Sequence, residues 1–335
     1  MRRLIVALAL LLSCSVASAE NETALKLVQT IPLPDVDGRI DHFAIDVKGR
    51  RAFLAALAKG TVEVVDLKAG RVAHSLPGFS KPQGMLFVPQ FNKLVVACGA
   101  DGLVKTLDGT TLALIHTASV SLGADAIGYD PRSKEMFVGS GGSDANKERG
   151  DLTVFNVASG AQVLALTTDA HAGASVVESH GERVFVLVPE KSQVVALDRK
   201  TKALAAKWTI PGIQKDVAIV LDEKRHRLFL GVRTPASIVV LNSDSGAVVA
   251  SIPTVGTLDG LSYDAATRRI YTSGGEGFVD VTLQIDADHY ERIARIPTGP
   301  IARTSVFVPE WRRLYVAVPR DKERSAELRV FEAVR

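Results

Sequence analysis

RAFLAALAKGTVEVVDLKAGRVAHSLPG, residues 51–78, contains three short alternating runs separated by two tight turns, AKG and KAG. Its apolar positions are mostly Val, Leu, Ala and Phe. The breaks carry Gly, Lys and Asp, the composition of antiparallel strands joined by hairpin turns. The layout recurs at residues 183–212 (RVFVLVPEKSQVVALDRKTKALAAKWTIPG), 227–255 and 269–299. A fourth run precedes each trio: HFAIDV, GMLFVP, AIGYDP, ASVVES, VAIVLD, GLSYDA and TSVFVP.

Aligning the ends of those fourth runs gives one column: Asp46, Val88, Asp130, Glu178, Asp222, Asp264 and Val308. Successive spacings are 42, 42, 48, 44, 42 and 44 residues. A period in the low forties with four strands per unit predicts an all-β, seven-bladed β-propeller. A helical repeat would instead show an i, i+3, i+4 stripe, which is absent. The seventh unit ends at Arg335 one strand short. The missing strand is supplied by ALKLVQTIPLP (24–34), which alternates and ends TIP, as other outer strands end SLP, TIP, SIP or RIP. The N-terminal strand is therefore expected to complete the last blade and protect its open edge.

The first nineteen residues read as a signal peptide. MRR is a positive start, Leu4–Leu12 an apolar run too short to span a bilayer comfortably, and Ala17-Ser18-Ala19 a small-x-small cleavage site. The expected organisation is thus a signal peptide over 1–19 and a propeller domain over 20–335, delivered to the periplasm or secreted. LLSC (Leu11–Cys14) also resembles a lipobox that would lipidate Cys14, but Leu12 fits that pattern poorly. Cys98 is then the one cysteine of the mature chain, so no intrachain disulfide is expected. It lies in the strand pattern KLVVACG and reads as a buried small hydrophobe.

The blade RLFLGVRTPASIVVLNSDSGAVVASIPTVG (227–256) resembles the repeat of YVTN-type, YncE-like β-propellers. These are mostly exported bacterial proteins that share their fold with the β-chain of quinohaem amine dehydrogenases. The resemblance covers the whole mature chain. It implies the fold and export; it implies little about activity, because propellers host many unrelated functions.

Strand direction locates a candidate site. If the strands of a blade are a to d from hub to rim, the d-to-a connections and b-to-c loops share one face, and strand a lines the channel. Five residues before the aligned column lie Asp41, Gln83, Asp125, Gly173, Val217, Asp259 and Arg303. Two residues earlier lie Arg39, Lys81, Gly123, His171, Lys215, Thr257 and Ile301. Period-two alternation aims both sets at the channel mouth. The expected ligand-binding residues are Arg39, Asp41, His42, Gln83, Asp125, His171, Asp259 and Arg303, because convergent polar groups in a concavity mark a pocket. Capping and channel water are the structural reading of the same residues.

Two loops on that face are longer than the rest, residues 140–151 and 320–326; SGGSDANKERGD reads as a solvated hairpin loop rather than a phosphate cradle. Asp286, Asp288 and His289 read as an Asx-type turn on the opposite face. Asp41, Asp125 and Asp259 together would offer oxygens to a hard cation, although Arg303 opposes one and no metal is assigned. The chain has no Cys-x-x-Cys-His, Gly-x-Ser-x-Gly, Rossmann or Walker motif, and no cofactor is expected. Its net charge of +3, falling to +1 once Arg2 and Arg3 are removed, and its 6% aromatic content argue against nucleic acid and polyanions. The resulting expectation is a monomeric, non-catalytic scaffold for an unidentified protein or small-molecule ligand. The alternative is a lactonase-like hydrolase in which the mouth carboxylates polarise water directly or through a metal.

Overall fold

The computed structural model describes residues 24–334. The expected signal segment and Cys14 lie outside them. Twenty-eight strands form seven four-stranded antiparallel sheets arranged as propeller blades. In blade 1 the strands are a (Ile40–Asp46), b (Arg51–Ala56), c (Thr61–Asp66) and d (Arg71–Pro77). Among the described residues there is no α-helix, only three single-turn 3-10 segments. No helix among them is long and apolar enough to cross a membrane.

Burial explains the pattern of each run. Strand b of blade 1 is buried from Ala52 to Ala56 without alternation, because both faces of the sheet are covered by neighbouring blades. Strand d at the rim is mostly exposed. The apolar residues gather in seven clusters, each spanning one blade junction: Phe53 and Val64 meet Leu94 and Val96, for example, and Phe185 and Leu187 meet Leu228 and Leu230. Cys98 is fully buried in the first of these junctions, and burial pushes its thiol up to about 12.

The aligned acids cap the a-to-b turns on the face away from the mouth. Asp46 accepts from the Gly49 N–H at 2.8 Å, and Asp264 from the Ala266 N–H at 3.0 Å. Asp130 does the same with Arg132 N–H and also receives the buried Arg199 guanidinium from blade 4, whose Nε is 2.6 Å from Oδ2. Burial works to raise the Asp130 pKa, but Arg199, Ser133 and the Arg132 N–H outweigh it and hold the carboxyl at about 2. The c-to-d turns are Asx turns: Asp66 accepts from Lys68 and Ala69 N–H, and Asp108, Asp198 and Asn242 repeat the device.

Closure follows the expectation. The strand Leu25–Leu33 pairs antiparallel with Ala326–Ala333, from Leu25 opposite Ala333 to Leu33 opposite Ala326. Ile31 and Leu33 are completely buried in the junction of blades 7 and 1. The Val334 N–H donates to the Ala24 carbonyl at 3.0 Å, so the two described ends of the chain meet.

Arg199→Ala leaves the Asp130 carboxylate buried without its cation, and is expected to lower stability by roughly 3–5 kcal/mol. Urea unfolding of the variant checks this; a loss within ~0.5 kcal/mol, the surface-substitution range, would mean the pair is dispensable.

Candidate functional site

The mouth is built by seven strand starts, and at five of them the backbone departs from regular β geometry. Lys81, Gly123, Lys215, Thr257 and Ile301 all have left-handed φ between 48° and 75°. These residues turn the chain from the rim back to the hub, so simple alternation fails there. Of the outer set read from sequence, Arg39, Lys81 and His171 line the mouth. Lys215, Thr257 and Ile301 do not, and the Ile301 side chain is exposed instead.

A second irregularity brings Asp41 and His42 to the same place. The ladder between strands a and b of blade 1 skips from Ile40 to Phe43. Two consecutive residues thus leave the regular pairing, as in a β-bulge, and both side chains serve the hub. The same skip occurs between Pro82 and Met85, around Gln83, and a one-residue skip between Leu258 and Gly260 leaves Asp259 out of the ladder.

The result is a cavity of about 230 Å³. Arg39, His42, Gln83, Asp125, His171 and Asp259 line it, with Gly173 and Val217 completing the inner set. Asp41 is fully buried just beneath, and Arg303 stands behind Asp259. All eight residues singled out from the sequence therefore belong to this one neighbourhood.

Three guanidiniums converge on Asp259. Arg233 Nη2 is 2.8 Å from Oδ1; Arg39 Nη2 is 3.3 Å and Arg303 Nε 3.1 Å from Oδ2. The Arg303 contact is ionic and lacks the alignment of a hydrogen bond. Arg39 Nη2 also donates to Asp41 Oδ1 at 2.9 Å. Burial lowers the Arg303 pKa, and the neighbouring Arg39 and Arg233 push it the same way against Asp259.

Opposite this cluster, His42 sits between two carboxylates. Its Nε2 is 3.9 Å from Asp41 Oδ1 and 3.8 Å from Asp125 Oδ1, outside hydrogen-bond range but close enough for strong coupling. Burial raises the Asp41 pKa to about 6, with Asp125 and Asp259 adding to the rise and His42 and Arg39 opposing it. Burial by itself would lower the His42 pKa; Asp41, Asp125 and Asp259 reverse that, and the net direction is upward. The titrations of Asp41 and His42 are thus linked, each shifting the other through their short separation.

Two cavity residues were not found from the sequence. Arg233 ends strand b of blade 5, and its Nε donates to the Leu258 carbonyl at 2.7 Å. The signal was the unusual VRTPA turn, which replaces the tight glycine turn seen at AKG. Asp144 comes from the long loop of blade 3. That loop is the solvated hairpin read from the sequence, mostly exposed between paired strands, and within it Gly142–Ala145 forms a 3-10 turn that brings Asp144 to the mouth. Its backbone N–H at Ser143 donates to Glu190 Oε1 of blade 4 at 3.1 Å, and His171 Nδ1 donates to the Gly141 carbonyl at 3.1 Å. Gly142 has φ +61°, and a Cβ there would lie 2.4 Å from the His171 nitrogen. No other residue fits without moving the loop.

Among the described residues, no three His, Cys, Asp or Glu side chains gather as a metal-ligand set. Asp259 is enclosed by arginines rather than by further oxygens, so the mouth carboxylates do not match the donor set of a hard cation. At the opposite face, Asp286 accepts from the Asp288 and His289 N–H groups at 2.8 and 2.9 Å, which is the Asx turn read from the sequence.

Neither a family model nor a curated protein matches the chain. Solved structures do. Hydrazine synthase from Kuenenia stuttgartiensis aligns with a TM-score of 0.73 at 15% identity, over 86% of this chain and 95% of that one. A chain of the mitotic checkpoint complex aligns at 0.77 and 13%, over 100% and 99%. The WD40 repeats of RRP9 align at 0.72 and 12%, over 93% and 98%. At these identities the similarity establishes the seven-bladed fold and nothing finer.

The Asp41 pKa is raised above its ordinary value of 3.8. Its contribution to stability is therefore fully present below about pH 4 and is lost as pH rises through about 6. The change amounts to on the order of 3 kcal/mol. His42 acts in the same sense, from pH 6.5 upward. Asp41→Asn is expected to flatten the fall in Tm between pH 4 and 6. An unchanged pH profile in that variant would show that Asp41 does not titrate in this range.

Proposed function

We propose that the channel mouth is a ligand-binding site and that the protein acts as a non-catalytic binding scaffold of the exported, YncE-like kind. One observation carries the reading. Among the described residues, several buried polar atoms around one cavity lack hydrogen-bond partners: Arg39 Nε, Arg303 Nε, Asp41 Oδ2 and Asp125 Oδ1. Each such atom costs roughly 1–3 kcal/mol unless something else satisfies it. A cluster of them, already fixed by bulged strands and crossed ion pairs, is prepared for a polar guest rather than for packing. The signal peptide read over residues 1–19 and the resemblance of the 227–256 repeat support action in the periplasm or outside the cell, as a monomer.

Arg233→Ala and Asp125→Asn are the direct test. The parent protein, purified without denaturation from native extracts, is expected to carry a small molecule detectable by native mass spectrometry. Each variant should lose at least tenfold in occupancy while keeping its thermal transition. Equal occupancy in parent and both variants would make the mouth purely structural.

A second reading rests on His42. An imidazole between two carboxylates can act as a general base for hydrolysis of a lactone. Turnover of simple γ- and δ-lactones that disappears in His42→Ala would favour it, and no turnover by the parent would remove it.

A further inference from the structure

The distribution of charge within the mouth narrows the class of ligand; this inference rests on the mouth being the binding site. On one side, Arg39, Arg233 and Arg303 face two carboxylates, Asp259 and Asp41. Among the described residues, three cations against two anions leave that wall short of one negative charge, and Arg39, which lines the cavity, holds an Nε without a hydrogen-bond acceptor, while Arg303 stays behind Asp259. A ligand carboxylate supplies the missing charge and the missing acceptor together, and guanidinium is the group best shaped to receive it.

The side formed by blade 3 has the opposite need. Asp125 and Asp144 both line the cavity, and among the described residues neither has a Lys or Arg partner within 4.0 Å. The charged neighbour of Asp125 is His42, too distant to hydrogen-bond, and Asp125 Oδ1 is left without a donor. Lys81 reaches the same lining from blade 2 but forms no ion pair there. An ammonium group is the donor these two carboxylates lack. Between the two walls, Ala126, Ala174, Pro189 and Val217 present an apolar strip.

Size sets the last limit. The cavity measures about 230 Å³, below the roughly 300–1,000 Å³ of pockets that hold drug-sized ligands. That is the scale of an amino acid, not of a nucleotide or an oligosaccharide. We infer that the mouth takes a small zwitterion, a free amino acid or close analogue with a short aliphatic body, its carboxylate on the arginine cluster and its ammonium on Asp125 and Asp144.

The test is isothermal titration of the folded chain with the common amino acids and γ-aminobutyrate, alongside propionate and isobutylamine as the two half-ligands. At least one zwitterion is expected to bind ten times more tightly than either half. Arg233→Ala should weaken both the zwitterion and propionate at least tenfold. Asp125→Asn and, separately, Asp144→Asn should weaken the zwitterion and leave propionate unaffected. Two variants on different elements guard against a single folding failure. If propionate binds as tightly as any zwitterion and the Asp variants change nothing, the zwitterion is wrong and the mouth is an anion site. If no probe binds while a natively retained compound still depends on Arg233, the ligand class is wrong and the mouth reading stands. If no probe binds and retention ignores Arg233 and Asp125, both fall.

Discussion

Every blade depends on having a neighbour against each of its two faces. The apolar residues of this protein do not meet at a common centre; they meet in pairs, blade against blade, in seven separate junctions. A sheet whose inner strands are apolar on both sides is stable only when both sides are covered. The ring must therefore be complete. That requirement explains why the strand Leu25–Leu33 crosses to the last blade, and why Ile31 and Leu33 are among the most deeply buried residues. It also explains why the centre is left to polar groups. Seven inner strands packed outward cannot fill the axis, and water or ligand occupies what they leave.

The polar hub is consequently the one region where the sequence is free of packing demands, and the strain there is electrical. Asp41 is fully buried with one oxygen unpartnered, and three arginines crowd one carboxylate. An arrangement of this kind lowers stability in the empty protein, and such costs concentrate where a site is preorganised. By contrast, the buried acids at the other end of strand a are fully satisfied: Asp130 by Arg199 and two turn groups, Asp46 by Arg51 and Gly49. The same residue type at the two ends of one strand thus meets two environments, a capped turn at one and a charged, incompletely paired hub at the other.

How much of this was legible in the sequence follows from distance along the chain. Blade boundaries, strand count and closure were all readable, because each depends on local alternation and on Asx or glycine turns such as those at Asp66 and Gly70. The placement of mouth residues was readable where strand a itself supplies them, as with Asp41, Gln83 and Asp259, or where they immediately precede it, as with Asp125. It was not readable where the backbone leaves β geometry. The left-handed residues at Lys215 and Ile301 cancel the alternation that placed their side chains inside. Arg233 and Asp144 arrive from b-to-c loops, and only folding brings them to Asp259 and the cavity. The three-arginine cluster joins blades 1, 5 and 7 around a carboxylate from blade 6, and no spacing in the chain encodes it.

Closure by the strand Leu25–Leu33 also orders folding in time. A ribosome releases that strand long before its partner, Ala326–Ala333. The intervening blades can pair locally as they emerge, since their hairpins are close in sequence, but the circle stays open until the last residues arrive. The final step is the most non-local contact in the molecule, and such contacts form slowly. During that interval an unpaired strand edge and an apolar blade face are exposed to other chains. The hub also lacks its final shape until then, because Arg39 of the first blade and Arg303 of the last reach Asp259 together only when the circle shuts. The geometry of the mouth thus reports on the integrity of the whole ring.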